Sequence, residues 1–386
     1  MEYSEKICIC TLGRIFGYEP RKALDLITAA GSAGNIFSMN ADELSALTGP
    51  YSDCTLKINR QELDRTAAEL ERLERMGCRY LDISEKLYPE MLKDCEDPPL
   101  GLYVRSDSPL EKLFHPGPYI AVIGTRDLSL YGKEWCRKVV AALAKAKQKP
   151  VIVSGLALGT DVTAHLAALE GGLPTIGVLP TGIDEVYPRR HENIAARICR
   201  TEGCALITDY PPGAQAIAIN FLRRNRIIAG LCGATILIES KSQGGGMITA
   251  RLAASYNREV YALPGRVDDV RSAGCNKLIQ KKLAEPITDM DSLVKSLGLG
   301  VSSYRRKDTL TEEMRATYGY MGGEDVENII KIAQLIRLHR GVCGEEIAAA
   351  MNLPFSTVSS FLILLESDGF ISVDLIGRCS INVKIV

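Results

Sequence analysis

The sequence predicts an α/β fold: a parallel sheet covered by helices on both faces, with a helical module ahead of it and a winged helix behind. Six short apolar or β-branched runs recur between residues 119 and 262, each followed by a helical stretch. This is the pattern of buried strands joined by crossover helices. The first 85 residues show helical periodicity only, and residues 325–386 read as three helices and two strands.

In the N-terminal module, Pro20 stands at a first-turn position and opens an amphipathic segment (Ala23, Leu24, Ile27) that stops at Gly31. Asn40 with Glu43 three residues on is a capping-box signal for the next helix. From Asp53 to Met76 the spacing of Leu56, Leu63, Ala67, Leu70 and Leu73 predicts a further helix ended by Gly77. Tyr88 to Ser108 is interrupted by Pro89, Pro98 and Pro99, and a residue before proline is pushed out of helical geometry, so an extended connector is expected there.

The six expected strands are Tyr119–Ile123, Pro150–Val153, Thr175–Leu179, Ala205–Thr208, Ala234–Ile238 and Glu259–Ala262. Between them, Trp135, Val139 and Leu143 share one helical face, as do Val162, Leu166 and Leu169. Ligands of such sheets bind at the carboxyl ends of the strands, near a topological switch point. After Leu297 a polar stretch (Ser302, Ser303, Arg305, Arg306, Lys307, Asp308) reads as a linker. Helices follow at Asp325–Arg340, Gly344–Met351 and Ser356–Asp368, then strands at 369–373 and Ser380–Val383 around Gly377, which together make a winged helix-turn-helix. The domain boundaries are therefore 1–85, 86–300, a linker at 301–324, and 325–386. A chain of 386 residues agrees with several domains, because single cores stop growing near roughly 250 to 300 residues.

Composition is that of a globular protein, with 46% apolar and 24% charged residues. The 12 cysteines are scattered, in neither a zinc spacing nor a secreted disulfide framework, so reduced and buried thiols are expected. With no basic leader and no run of ~20 apolar residues, the chain is expected in the cytoplasm and off the membrane. A net charge of −1 hides an uneven distribution: residues 217–282 hold 11 Lys or Arg against four Asp or Glu. Lys241, Arg251, Arg266, Lys277, Lys281 and Lys282 belong to this basic stretch, whose field favours a polyphosphate over one small anion.

Three glycine turns coincide with strand ends: Gly124-Thr125-Arg126, Ser154-Gly155 through Gly159, and Gly244-Gly245-Gly246 through Thr249. Each is expected to offer backbone N–H groups to a phosphate, with the positive end of the following helix behind it, although each also reads as a plain strand-to-helix turn. None carries the dinucleotide fingerprint or the P-loop lysine. Arg223, Arg224 and Arg226 surround Asn225 at the start of a helix. On it 223 and 226 share a face while 224 points elsewhere, which leaves at least one of them open to simple solvation, and a structural salt bridge is the alternative to phosphate contact for Arg223 or Arg224. Phe221 reads as a stacking surface for a base or as a core residue. His165 reads as a hydrogen-bonded core histidine rather than a base, and Asp184 and Glu185 as a solvated loop rather than an acid and base pair. No catalytic set and no cofactor site emerges.

These pieces, in order, resemble the DNA-processing protein A family, also called DprA or Smf, over nearly the whole length. The matching residues are Tyr88-Pro89 with Leu92, Pro98-Pro99 with Leu102-Tyr103, and Ile123-Gly124-Thr125-Arg126 with Ser129-x-Tyr131-Gly132. Ser154-Gly155-x-Ala157-x-Gly159-x-Asp161, Ala164-His165, Gly182-x-Asp184 with Tyr187-Pro188, Arg224 through Gly230, Ile248-Thr249-Ala250 and Ala262-x-Pro264-Gly265 complete the set. The resemblance implies a helical N-terminal domain of the SAM or helix-hairpin-helix kind, an extended Rossmann-like core that binds single-stranded DNA as a dimer, and a winged helix. It also implies protection of incoming strands in natural transformation and loading of the RecA recombinase, without catalysis. The family's DNA pocket carries over to Gly124, Arg126, Ser154, Gly155, Phe221, Arg224, Asn225, Arg226, Gly244, Gly245 and Thr249, to which the basic cluster adds Arg223. The chain departs from the family at Leu222, where proline is usual, at Gly246, where serine is common, and at Lys282-Leu283-Ala284.

Two other readings compete. Gly244-Gly245 and Thr249 also resemble the glycine-rich motif of lysine-decarboxylase-like phosphoribohydrolases, which would make the chain a nucleotide-processing enzyme. That motif needs a glutamate where Leu252 stands. A duplex-reading winged helix is the third, but residues 325–386 hold seven acidic and five basic residues, and the presumed reading helix begins with Ser356, Thr357, Ser359 and Ser360.

Overall fold

In a computed structural model, residues 3–48, 55–114, 117–300, 309–339, 341–374 and 377–381 are described. The chain forms two compact units, Met1–Ser302 and Ser303–Val386.

The first unit begins with helices α1 (Glu5–Phe16), α2 (Pro20–Ala30), α3 (Ala33–Ser38), α4 (Ala41–Thr48) and α5 (Arg60–Arg75). Pro20 is the first residue of α2, and Gly31, at φ 81°, ends it in the left-handed region glycine favours. At α4 the capping box forms: Asn40 Oδ1 accepts the Glu43 N–H at 3.0 Å, and Glu43 Oε2 accepts the Asn40 N–H at 2.9 Å. The helix expected from Asp53 starts later. Asn59 caps α5 by accepting the Glu62 N–H, and Asp53 itself lies outside the described residues.

Nine strands make one sheet: β1 (Cys78–Asp82), β2 (Gly101–Arg105), β3 (Tyr119–Ile123), β4 (Val151–Ser154), β5 (Thr175–Val178), β6 (Ala205–Thr208), β7 (Ala234–Leu237), β8 (Glu259–Ala262) and β9 (Glu285–Pro286). The order is β1-β2-β6-β5-β4-β3-β7-β8-β9. Strands β3 to β8 lie where the six apolar runs predict them. The sheet is not purely parallel, however. β1 and β2 run antiparallel to each other, and β2 runs antiparallel to β6. Both differ from the sequence expectation: β1 falls at the end of the stretch with helical periodicity, and β2 in the proline-interrupted connector. Such a pair needs no crossover helix, only the turn and short α6 (Glu90–Lys93) between its strands. The two-residue β9 closes the far edge, where Pro286 costs no ladder donor.

Between strands run α7 (Leu110–Leu113), α8 (Leu130–Lys145), α9 (Thr160–Glu170), α10 (Glu192–Arg200), α11 (Ala218–Leu231), α12 (Gly245–Ser255) and α13 (Ala273–Gln280), and α14 (Met290–Ser296) follows β9. They bury the sheet on both faces. Ala121, Ile123, Val151 and Val153 join one core, while Ile120, Val122 and Ile152 join the other with Val139, Val140 and Leu143 of α8. From β3 the chain steps outward through β4, β5 and β6. α11 then carries it back to β7, on the other side of β3. The order reverses between β3 and β7, which makes that crevice the switch point.

The second unit holds α15 (Thr309–Thr317), α16 (Gly323–Leu338), β10 (Val342–Cys343), α17 (Gly344–Met351), α18 (Phe355–Ser367), β11 (Ile371–Val373) and β12 (Arg378–Ile381). α17 and α18 meet at 119°, and β10-β12-β11 is the wing. The stretch read as linker contains α15, whose Met314 joins this unit's core. No single helix among the described residues is long and apolar enough to cross a membrane.

Candidate nucleic-acid interface

The three glycine turns do not behave alike. Gly124 follows β3 so closely packed that a methyl there would stand 2.4 Å from Thr160 Oγ1 and 2.9 Å from the Glu239 carbonyl. The Thr125 carbonyl of this turn accepts the Thr160 N–H at 3.1 Å and its hydroxyl at 3.2 Å. A carbonyl, not an anion, therefore meets the start of α9. In the second turn Asp161 Oδ2 accepts the N–H groups of Gly155 (3.1 Å) and Ala157 (3.4 Å). Those amides were expected to cradle a phosphate; a carboxylate of the protein already fills that place.

The third turn is open. α12 begins at Gly245, whose first N–H groups have no partner within the helix. Gly245 is exposed, and a methyl there would meet nothing within 4 Å. The next residue, Gly246, packs on the first turn, since its methyl would lie 3.4 Å from Gly124 Cα. The free positive end of α12 thus opens beside Gly124, at the switch point.

α11 places its residues on opposite sides. Phe221 is partly exposed; the Arg126 guanidinium lies over its ring at 4.7 Å, and the Tyr187 ring meets it edge-on at 5.4 Å. Arg126 itself is exposed. Arg224 is only 3% exposed: its Nη1 donates to the Val178 carbonyl at 2.5 Å, and it lies flat against Gly155, where a methyl would stand 1.9 Å from Nη1. Burial pulls the Arg224 guanidinium down to about 10, opposed by the Asp161 carboxylate and reinforced by Arg126. Burial likewise raises Asp161, against the pull of Arg224. Arg224 remains a cation and forms the floor beneath the open residues.

The remaining candidates point inward or elsewhere. Ser154 is fully buried and its hydroxyl donates to the Val122 carbonyl at 2.6 Å. Asn225 and Thr249 are buried. Arg226 is ion-paired with Asp209 and donates to the Asp97 carbonyl; burial lowers its affinity for a proton, and Asp209 and Asp97 more than offset that. Arg223 covers the Tyr18 ring at 3.2 Å. Ser154, Asn225, Arg226 and Thr249 thus lie in the framework, and the structural salt bridge falls on Arg226 rather than on Arg223 or Arg224, for which the sequence left it open. Gly124, Arg126, Phe221, Gly244 and Gly245 gather on the accessible side. Tyr187 joins them unannounced, although its motif with Pro188 was visible in the sequence.

Nearby cations are partly spent, Arg266 on Asp268 and Arg271 on Asp127, both at 3.0 Å. His165 is the expected core histidine: Nδ1 lies 2.7 Å from Thr175 Oγ1, and burial, with Arg224 and His191 adding to it, brings it down to about 3. Asp184 accepts the Gly213 N–H through both oxygens, at 2.9 and 3.1 Å. It pins a loop.

The model of the DNA recombination-mediator protein A family matches residues 79–298. The chain is similar to the DNA processing protein DprA of Streptococcus pneumoniae, 38% identical over 199 residues that make up 52% of this chain and 67% of that protein. The X-ray structure of DNA processing protein A from Streptococcus pneumoniae superposes with a TM-score of 0.64 at 28% identity, covering 76% of this chain and 98% of that one. DNA processing protein A of Helicobacter pylori, whose structure concerns a single-stranded DNA binding mode, gives a TM-score of 0.50 at 31% identity over 56% of this chain and 95% of that one.

Proposed function

The chain belongs to the DNA recombination-mediator protein A family, and from that premise we propose that it binds single-stranded DNA and makes or breaks no covalent bond. One observation carries the reading: an exposed guanidinium lies over an accessible ring, Arg126 on Phe221, beside the open N-terminus of α12 at the switch point. Backbone phosphates sit against Arg126 and the amides of Gly245 and Gly246, with Arg224 as a buried charge beneath, and a base stacks at Phe221 without sequence reading. By this binding it protects incoming strands and helps to load the RecA recombinase in natural transformation and recombination. The protein acts there as a homodimer in the cytoplasm.

The test is a titration of labelled oligo(dT) at several salt concentrations. Affinity falls with salt at a log–log slope of about −0.7 per neutralised phosphate. Arg126→Ala flattens that slope by roughly one such step, and Phe221→Ala costs ~1 to 3 kcal/mol. Absence of binding, or release of free base from nucleoside monophosphates, overturns the reading.

A further inference from the structure

The row of contacts at the interface does not stop at Phe221. Tyr187, 41% exposed, is held edge-on to that ring by a braced loop. Thr181 Oγ1 donates to the Glu185 carbonyl at 2.7 Å, Asp184 takes the Gly213 N–H, Ile183 and Val186 are buried, and His191 Nδ1 lies 2.8 Å from the Leu156 carbonyl. A large ring kept outside the core by rigid neighbours offers a flat apolar face to solvent.

Directly after it, Arg189 and Arg190 occupy a single turn of 3-10 helix and are both exposed. Neither forms an ion pair among the described residues, although Glu185 and Glu192 are close in sequence; Asp184 is occupied by the Gly213 amide. Arg266 and Arg271, by contrast, are paired with Asp268 and Asp127. Two unpaired guanidinium groups beside an exposed ring, continuous with Arg126 and Phe221, form the alternation of cations and rings that a single strand needs for its phosphates and bases.

We propose that Tyr187, Arg189 and Arg190 form a second subsite for the same single strand, extending its path from Phe221 away from the switch point. A base stacks on Tyr187, and the following phosphates meet Arg189 and Arg190. This rests on the single-stranded DNA reading above and adds the direction in which the strand leaves the pocket.

The experiment compares oligo(dT) of about 4 and about 16 nucleotides, the span of site sizes typical of single-strand folds, by fluorescence anisotropy over a salt series. The double variant Arg189→Ala/Arg190→Ala leaves the short oligomer's binding unchanged. It weakens the long oligomer's and flattens its slope by about 1.4, two phosphates' worth. Tyr187→Ala weakens long-oligomer binding by roughly 5-fold or more, whereas Tyr187→Phe keeps it, since the stacking face survives. The altered side chains are exposed, and an unchanged unfolding midpoint verifies each variant's fold. If the arginine variant matches wild type on the long oligomer, or Tyr187→Phe loses as much as Tyr187→Ala, the subsite is refuted while Arg126→Ala still reports on the main pocket. If wild type binds neither oligomer, both readings fall together.

Discussion

At the scale of single residues, four arginines within the candidate set carry the same formal charge and have four different environments. Arg126 is exposed over Phe221, Arg223 covers Tyr18, Arg224 is buried against Gly155, and Arg226 is paired with Asp209. The last is a structural ion pair, and removing one partner leaves the other charged and buried. Asp209→Ala is therefore expected to cost ~3 to 5 kcal/mol in urea unfolding. Arg126→Ala, on the surface, should stay within ~0.5 kcal/mol of wild type while losing DNA affinity. His165 gives a pH signature. It is neutral in the folded state down to about 3, whereas the unfolded side chain takes a proton near 6.5. The unfolded state then binds more protons, so stability falls as pH drops below about 6.5, by up to ~1.4 kcal/mol per unit. Unfolding of wild type and His165→Asn across a pH series should show that slope reduced in the variant; equal slopes would remove the assignment.

At the scale of elements, α9 and α12 both follow a glycine turn, yet only one offers a free N-terminus. The difference was legible in the first turn of each helix. Thr160 and Asp161 bring polar groups that bond the neighbouring turns, while Gly245, Gly246 and Met247 bring none. α11 shows how Leu222 matters. Leu222 keeps an N–H in the ladder, so α11 runs unbroken from Ala218 and carries Phe221 in its first turn. Leu222→Pro is expected to unwind that turn, at a cost of up to ~3 kcal/mol, and to weaken oligo(dT) binding as Phe221 leaves Arg126. Retained affinity would show that Phe221 does not need the helix. Strands β3 to β8 were readable because burial on both faces demands continuous apolar residues. β1 (Cys-Arg-Tyr-Leu-Asp) and β2 (Gly-Leu-Tyr-Val-Arg) carry charges and lie among prolines, so nothing local separated them from a helix end and a connector.

At the scale of the whole molecule, the basic stretch and the accessible site both belong to the first compact unit. In the second unit, the exposed side of α18 presents Phe355, Ser356, Ser360 and Ile363, with no lysine or arginine among them. Phosphate contacts need cations. Deleting residues 303–386 should accordingly shift oligo(dT) affinity by less than ~0.5 kcal/mol, as for an energetically independent part. A large loss would place the winged helix on the strand. The sequence by itself determined the alternation of strands and helices from β3 to β8, the glycine turns at the strand ends and the clustering of basic residues, because periodicity and turn chemistry act over a few neighbours. Only the tertiary structure decided which cations face solvent. Arg226 meets its partners from 129 and 17 residues away, and whether a charge is free or neutralised depends on which distant carboxylates and carbonyls the packed chain brings within reach.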